Sequence, residues 1–584
     1  MTEETQSAVA RLSIAAVGAL AGLSVWGLFE VVPDLIDNER AVMVLIAFGL
    51  GFFGVLLALL GPVRLIPAAL VSALWSACAT LLLFWASFRH EDVSGFVDGS
   101  YGVAAYVYLL SIAVPFLAAG LIEQGGWRRY ALLFDTAWNI VVRYAAAGLF
   151  VGVVWAVVLV SDALLGLVGI RVIHWLLDFA PVPYLLSGLA LGLGLAIVHE
   201  LSDYVSPFLL IQLLRVLMPA LLVVLAVFIL ALPFRGLGGL FGQFSAAATL
   251  GAVAFGGITL ITTAIHRDDE LSVQGVGMLT TARVLSVLLP VPAWLALWAV
   301  WMRVDQYGLT PERVLALLAT GIVAIYAAGF ALAALTRADW RGHQRSVNRW
   351  MALLTLGVAA LWLTPVLNSE RLSTASQVAR AEAGVPLEQL ALWEMAHEWG
   401  RAGQLGLDKL DVLMTHPAGD TLQERIAQVR RETQRWVFDS DLHGAMIATL
   451  DGVVPVRPEG ARVPSGALDA LDPDTRMRIH KACARTLPDG HPGCVIVVGT
   501  FDPLVPYDQA LLIFRRSAES FEQLALTLHD GFFVQDGSVR DLTKRSYARI
   551  TDAALLAILE GRFTFVPVPR NALDVEGMQL FPQN

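Results

Sequence analysis

The chain has 584 residues, 57% of them hydrophobic, with a mean hydropathy of +0.65 and a formal net charge of −10. Soluble domains carry about 45–50% apolar residues, so composition argues against an ordinary soluble globular protein and for a membrane protein. The negative balance offers no basic field for a nucleic acid, and none is expected as a partner.

The first apolar segment, Leu12–Leu28, is longer than the roughly 7–15 residues of a signal-peptide core. Glu30 and Pro33-Asp34 follow it instead of an Ala-x-Ala cleavage site, so it reads as an uncleaved anchor. A helix needs about 20 mainly apolar residues to cross a bilayer. Windows of that kind fall at 12–32, 41–60, 65–87, 102–122, 144–169, 184–201, 208–232, 245–265, 279–302, 314–335 and 350–367. They predict a polytopic helical bundle of about eleven spans. Trp127–Arg143 and, more weakly, Arg171–Asp178 are amphipathic, with Trp and Arg where a headgroup layer would take them. The first of these reads equally as an extension of the following span.

Through Asn368 the chain holds 18 Arg, no Lys and 21 Asp/Glu, whereas the shorter remainder holds 22 Lys+Arg and 29 Asp/Glu. Charge density therefore jumps after the last apolar run. With a cytoplasmic N-terminus, the inside helix ends collect Arg11, Arg64, Arg128, Arg129, Arg143, Arg267, Arg283, Arg337, Arg341, Arg345 and Arg349. The outside ends collect Arg40, Arg89, Arg171, Arg235, Arg303 and Arg313. That bias follows the positive-inside rule and sends the C-terminal part outward. Gly18/Gly22, Gly148/Gly152 and Gly188/Gly192 recur at a spacing that lets helix backbones approach, which reads as bundle packing and not as a dimer signature. Pro115, Pro219 and Pro290 fall inside spans and predict kinks, or discontinuous helices lining a site.

Ionisable groups inside a bilayer are candidate functional residues. Here they are Asp162, Glu200, Asp203, Arg215 and Arg283, with Glu200 and Asp203 as expected partners of the deepest, Arg215. A structural ion pair is the preferred reading, and a substrate or proton site the alternative. His199-Glu200 lacks the second His of a zinc-protease helix, and the Gly-rich turn 235–242 lacks the Lys-Ser/Thr of a phosphate loop.

The most distinctive loop is Arg303–Arg313. Thr310 reads as an N-cap with Pro311 at the first helical position, and Gly308 permits a tight turn. Arg303, Tyr307, Gly308, Thr310 and Arg313 form a candidate structural loop. Tyr307-Gly-Leu-Thr-x-x-Arg313, Leu372-Ser-x-x-Ser-Gln-Val-Ala-Arg380 and Trp393-Glu-Met-Ala-His-Glu-Trp-Gly-Arg401 together resemble the bacterial multi-pass membrane family catalogued as domain of unknown function 4153. The resemblance implies the architecture and carries no reaction or catalytic residues.

From Ser373 to about Phe438 the pattern is helical and predicts a stalk or platform. Beyond it, Val495–Val498, Ala510–Phe514, Leu524–Leu528 and Phe563–Val566 are strand-like, separated by Asp-Pro and Asp-Gly turns, and predict an α+β lobe with an antiparallel sheet. Cys483 and Cys494 flank the turn-rich Leu487–Gly493 loop. A disulfide, permitted outside the cytoplasm, and two unpaired thiols are the alternatives. Cys78 reads as a small packing residue within a span. His397, His443, His480 and His491 join no catalytic or metal-ligand pattern, so no catalytic residue, cofactor or metal site is expected.

The resulting expectation is a membrane all-α bundle over 1–368, a helical platform over 369–438 and a soluble α+β lobe over 439–584. The protein would sit in the inner membrane, N-terminus cytoplasmic and lobe periplasmic. Its partners would be the bilayer and an envelope protein bound by the lobe, with the oligomeric state left open. A non-enzymatic envelope protein is the first functional reading. A transporter or channel using the intramembrane charges is the second, and an enzyme acting on lipid-linked substrates the third.

Overall fold

The computed structural model describes residues 3–413, apart from 100, 201–207, 236–243 and 337. It also describes 419–580, apart from 436–437, 439–449, 488–489, 502–504, 506, 517–519, 530, 536–538, 542–545, 548–549, 566–572 and 576–577. The chain forms two compact units, Met1–Ile426 and Ala427–Asn584.

The first unit is helical. α1 (Glu3–Trp26) runs through a π-helical turn, Gly27–Val31, into the short α2 (Val32–Leu35). There follow α3 (Glu39–Leu59), α4 (Leu65–Ser87), α5 (Val93–Gly99), α6 (Tyr101–Ile122), α7 (Tyr130–Leu167), α8 (Val172–Leu177) and α9 (Pro181–Glu200). α10 (Phe208–Arg235), α11 (Phe244–Ile265), α12 (Val276–Leu288), α13 (Pro290–Tyr307), α14 (Pro311–Leu335) and α15 (Trp340–Trp362) complete the apolar set. Among the described residues ten helices are long and apolar enough to cross a membrane, counting α12 and α13 together. α15 adds an eleventh only if it and the segment after it, bent by 82°, count as one span.

Two open alternatives of the sequence reading resolve, and one boundary differs from it. Of the two readings of Trp127–Arg143, the extension of the following span is the one formed from Tyr130 on: α7 runs unbroken for 38 residues. No Gly or Pro interrupts Tyr130–Arg143, and Arg143 is buried, its Nη2 donating to Leu60 O at 2.7 Å. Pro290, expected to interrupt its span, divides 279–302 into α12 and α13, as its missing N–H requires. The last apolar helix begins at Trp340, ten residues before the apolar run, because Arg341, Arg345 and Arg349 share one face and fold back onto neighbouring helix ends.

Two hydrophobic clusters organise this unit. One gathers α1, α3, α4, α6 and parts of α7 and α9; the other gathers α10 to α14. α1 and α9 meet through glycine. A Cβ on Gly18 would stand 2.3 Å from Gly188 O, and one on Gly22 2.1 Å from Tyr184 O. The two small-residue pairs thus face each other within one chain, whereas Gly148 and Gly152 on α7 face open space. Cys78 does not pack as expected; its side chain is exposed on α4. α16 (Ser369–Glu382), α17 (Leu392–His397) and α18 (Gly400–Asp411) belong to the same compact unit, and α19 (Gly419–Arg431) spans the division.

The second unit is a five-stranded sheet of order β1-β2-β3-β4-β5, built from Val456–Arg457, Cys494–Val498, Gln509–Arg515, Phe521–His529 and Phe532–Gln535. It is mixed, not purely antiparallel: β1 pairs parallel with β2, while β2 to β5 are antiparallel. β2 and most of β3 read as near-continuous apolar runs because both faces are covered. Ile496, Leu512 and Leu526 share a cluster with Ile479 of α20 (Pro473–Ala484), and Val495 and Ile513 with Leu555 and Leu559 of α21 (Asp552–Leu559). The expected strand at Phe563–Val566 is not formed over its described residues, 563–565. Phe565 instead lays its ring on Gly499 and against Phe501, without backbone pairing.

Candidate functional site

Of the intramembrane charges singled out from sequence, the described ones, Asp162, Arg215 and Arg283, each find separate partners. Arg215, 8% exposed, donates from Nε to Thr263 O at 2.9 Å and from Nη2 to Leu271 O at 2.8 Å. Arg283 donates from Nε to Ala334 O at 2.8 Å and from Nη2 to Thr336 O at 2.9 Å. Both guanidiniums are therefore bound to carbonyls at or just beyond the ends of α11 and α14, which a helix C-terminus leaves without an internal partner. The expected pairing of Arg215 with Glu200 and Asp203 falls on side chains outside those described. Asp162 lies near the end of α7, its carboxylate 3.9 Å from the exposed ring of His174.

The same device recurs where the sequence reading did not look for it. Arg143 bonds Leu60 O beyond α3; Arg345 bonds Ile265 O and His266 O beyond α11; Arg40 bonds His90 O and Glu91 O beyond α4. Arg89 reaches Trp362 O, Thr364 O and, at 3.3 Å, Glu370 Oε2. A planar guanidinium carries five N–H donors in a fork and can hold two carbonyls at once, which a lysine ammonium does less well. The composition of 18 Arg and no Lys up to Asn368 was the available signal.

These bonds sort into two sets. One joins the ends of α3, α6, α11 and α14 to the starts of α7, α10, α12 and α15. It includes Arg267 with Asp135, Arg341 and Arg345 with Asp269 at 2.7 Å each, and Arg349 with Arg128 O. In this set His266, just past α11, is pushed down to about 4 by burial, with Arg215 and Arg267 adding repulsion. The other set joins the ends of α4, α13 and α15 to α16–α18.

The three sequence stretches that carry the family resemblance meet in this second set. Gln377, 1% exposed, donates to Tyr307 O at 3.1 Å and Leu309 O at 3.2 Å, and Ser376 Oγ accepts Leu309 N–H at 3.1 Å. Thr310 caps α14 by accepting Arg313 N–H, as its position suggested. Arg313 Nη1 donates to Gly308 O at 2.8 Å, and the guanidiniums of Arg303 and Arg313 lie 5.8 and 5.5 Å from the Tyr307 ring centre. Gly308, at φ +74°, allows Arg380 Cδ to lie 2.5 Å from where a Cβ would stand. Arg401 N–H donates to Arg89 O at 2.8 Å, His90 Nε2 lies 3.2 Å from Glu398 O, and His397 stacks on Trp393. Gly400, at φ +52°, would carry a Cβ 2.5 Å from Arg89 O. The arrangement clamps α16–α18 to the bundle.

In the second unit Cys483 and Cys494 are bonded, Cα–Cα 4.9 Å, tying α20 to β2. One end of the sheet is aromatic and open. There Tyr507, Phe532, Phe501 and Phe565 are 44–50% exposed; Tyr507 packs on His529 at 4.2 Å and Phe501 on Phe565 at 5.6 Å. Phe501, Tyr507 and Phe565 sit outside the strands and Phe532 at the first position of β5, where sequence pattern reads polarity and not exposure. Among the described residues no three His, Cys, Asp or Glu side chains gather as a metal site. No protein-family model, curated protein or solved structure matches the chain.

Proposed function

We propose that this is a multi-pass inner-membrane protein of non-enzymatic role, whose C-terminal lobe faces away from the cytoplasm and binds an envelope partner. The observation that carries the binding role is the exposed aromatic end of the lobe, Phe501, Tyr507, Phe532 and Phe565. Contiguous exposed aromatics of this kind mark interaction surfaces. The Cys483–Cys494 bond supports the outward side, since disulfides persist outside the reducing cytoplasm. Eleven crossings are supported by the two sets of bonded helix ends, which fall on the sides that alternate crossing assigns them. Membership in the family catalogued as domain of unknown function 4153 belongs to the same proposal, supported by the contact of two of its three stretches, at Tyr307 and Gln377, and by the third packing on the end of α4. The transporter reading draws less support from Arg215 and Arg283, which are bonded to helix-end carbonyls, while Glu200 and Asp203 lie outside the described side chains.

A photo-crosslinking residue at Tyr507 or Phe532 should yield a discrete adduct in living cells. The same residue at Arg485, exposed at the opposite end of the sheet, should not. Equal labelling at all three positions, or no adduct together with an unchanged phenotype for Tyr507→Ala/Phe532→Ala, would remove the partner-binding role.

A further inference from the structure

A second surface lies in the first unit, where α4 and α15 end and α16 and α18 pack. It is a groove of about 640 Å³. Its floor is apolar and small: Leu363, Ala375, Val378, Ala379, Ala402 and Leu405. α18 can approach α16 this closely because Gly406 has no side chain; a Cβ there would stand 2.3 Å from Thr374 Cγ2. Trp85, on the last turn of α4, is 55% exposed at one wall, and Leu405 is 63% exposed at the other.

Arg371, Arg401 and Lys409 stand on the rim, and all three are exposed. Among the described residues none of them makes an ion pair. Arg89 also lines the groove, but its charge is spent on Glu370 and the carbonyls that close α15. Glu382 is the one carboxylate in the lining, against these four cations. Three unpaired cations around an apolar floor suit a ligand with an anionic head and a hydrocarbon tail. Free phosphate would use the rim and leave the floor empty. The floor is continuous with the last turns of two candidate spans, and Trp85 sits where aromatic residues meet the headgroup layer.

We infer that this groove binds an anionic phospholipid, its phosphate held by Arg371, Arg401 and Lys409 and the start of an acyl chain laid on Leu363, Val378 and Leu405. The inference rests on the membrane placement but not on the lobe's partner or its side, so crosslinking at Tyr507 and lipid binding here can fail independently.

Native mass spectrometry of the full chain in detergent, titrated with phosphatidylglycerol and with phosphatidylcholine, tests it. Juxtamembrane basic residues each attract anionic lipid by about 1 kcal/mol. Phosphatidylglycerol should therefore bind at least about tenfold tighter, and the Arg371→Gln/Arg401→Gln/Lys409→Gln variant should remove that preference while leaving phosphatidylcholine binding unchanged. Ala379→Trp, which fills the floor and keeps the cations, should weaken phosphatidylglycerol by a similar factor and guards against misfolding of the triple variant. Equal affinity for the two lipids, or a preference that survives both variants, would overturn the inference. Glycerophosphate binding as tightly as the lipid would overturn the lipid assignment.

Discussion

Arg283 illustrates what single residues contribute. Its Nε and Nη2 hold two carbonyls, Ala334 O and Thr336 O, at the end of a neighbouring helix. A lysine at that position keeps the charge but lacks the fork, leaving one buried carbonyl poorly satisfied. Arg283→Lys should lower stability by about 1–2 kcal/mol, read as a fall in the thermal midpoint of the detergent-solubilised chain. An unchanged midpoint would deny the capping role. His266 provides a pH-dependent case. Burial first, then Arg215, Arg267 and Arg345, depress its pKa to about 4 against an opposing pull from Asp268. A depressed pKa contributes stability that is present above the unfolded value near 6.5 and is lost as pH falls toward about 4. The midpoint should therefore drop across that window, and less so in His266→Gln. Parallel curves for the two proteins would contradict this.

Helices were the most legible elements, because the long apolar runs at Ala41–Leu60 and Leu65–Ser87 permit few other structures. Their ends were less legible. α15 begins amid four arginines, one of them outside the described residues, that composition alone places in a loop; only their tertiary partners make that stretch helical. The Gly18/Gly22 pattern signalled a close approach but not its partner, since any small-residue face satisfies the same rule. Gly188→Val should push α1 from α9, because its Cβ would stand 2.2 Å from Gly18 O. Gly148→Val, with nothing within 4 Å, should leave folding yield nearly unchanged. Equal loss of folded protein in the two variants would rule out the α1–α9 contact. In the lobe, β2 to β4 were readable from apolar content. The two-residue β1, and its parallel pairing, were not, because so short a segment carries no period.

At the scale of the whole molecule, one device recurs: arginines tie helix ends together at both ends of the first unit. Two of the charges that sequence alone marks as functional, Arg215 and Arg283, are engaged in this way. The bonds of Gln377 to Tyr307 and of Arg401 to Arg89 could not be foreseen, since 70 residues separate the first pair and only folding brings α4, α13 and α16–α18 together. Two surface features among the described residues stand apart from this device: the cationic groove beside α16 and the aromatic end of the lobe. The central claim, an anchored bundle with an outward lobe, is tested most directly by fusing alkaline phosphatase, and separately a cytoplasm-dependent fluorescent protein, after Asn584. Phosphatase activity with a dark fluorescent fusion is the predicted result; a bright fluorescent fusion with inactive phosphatase would contradict it.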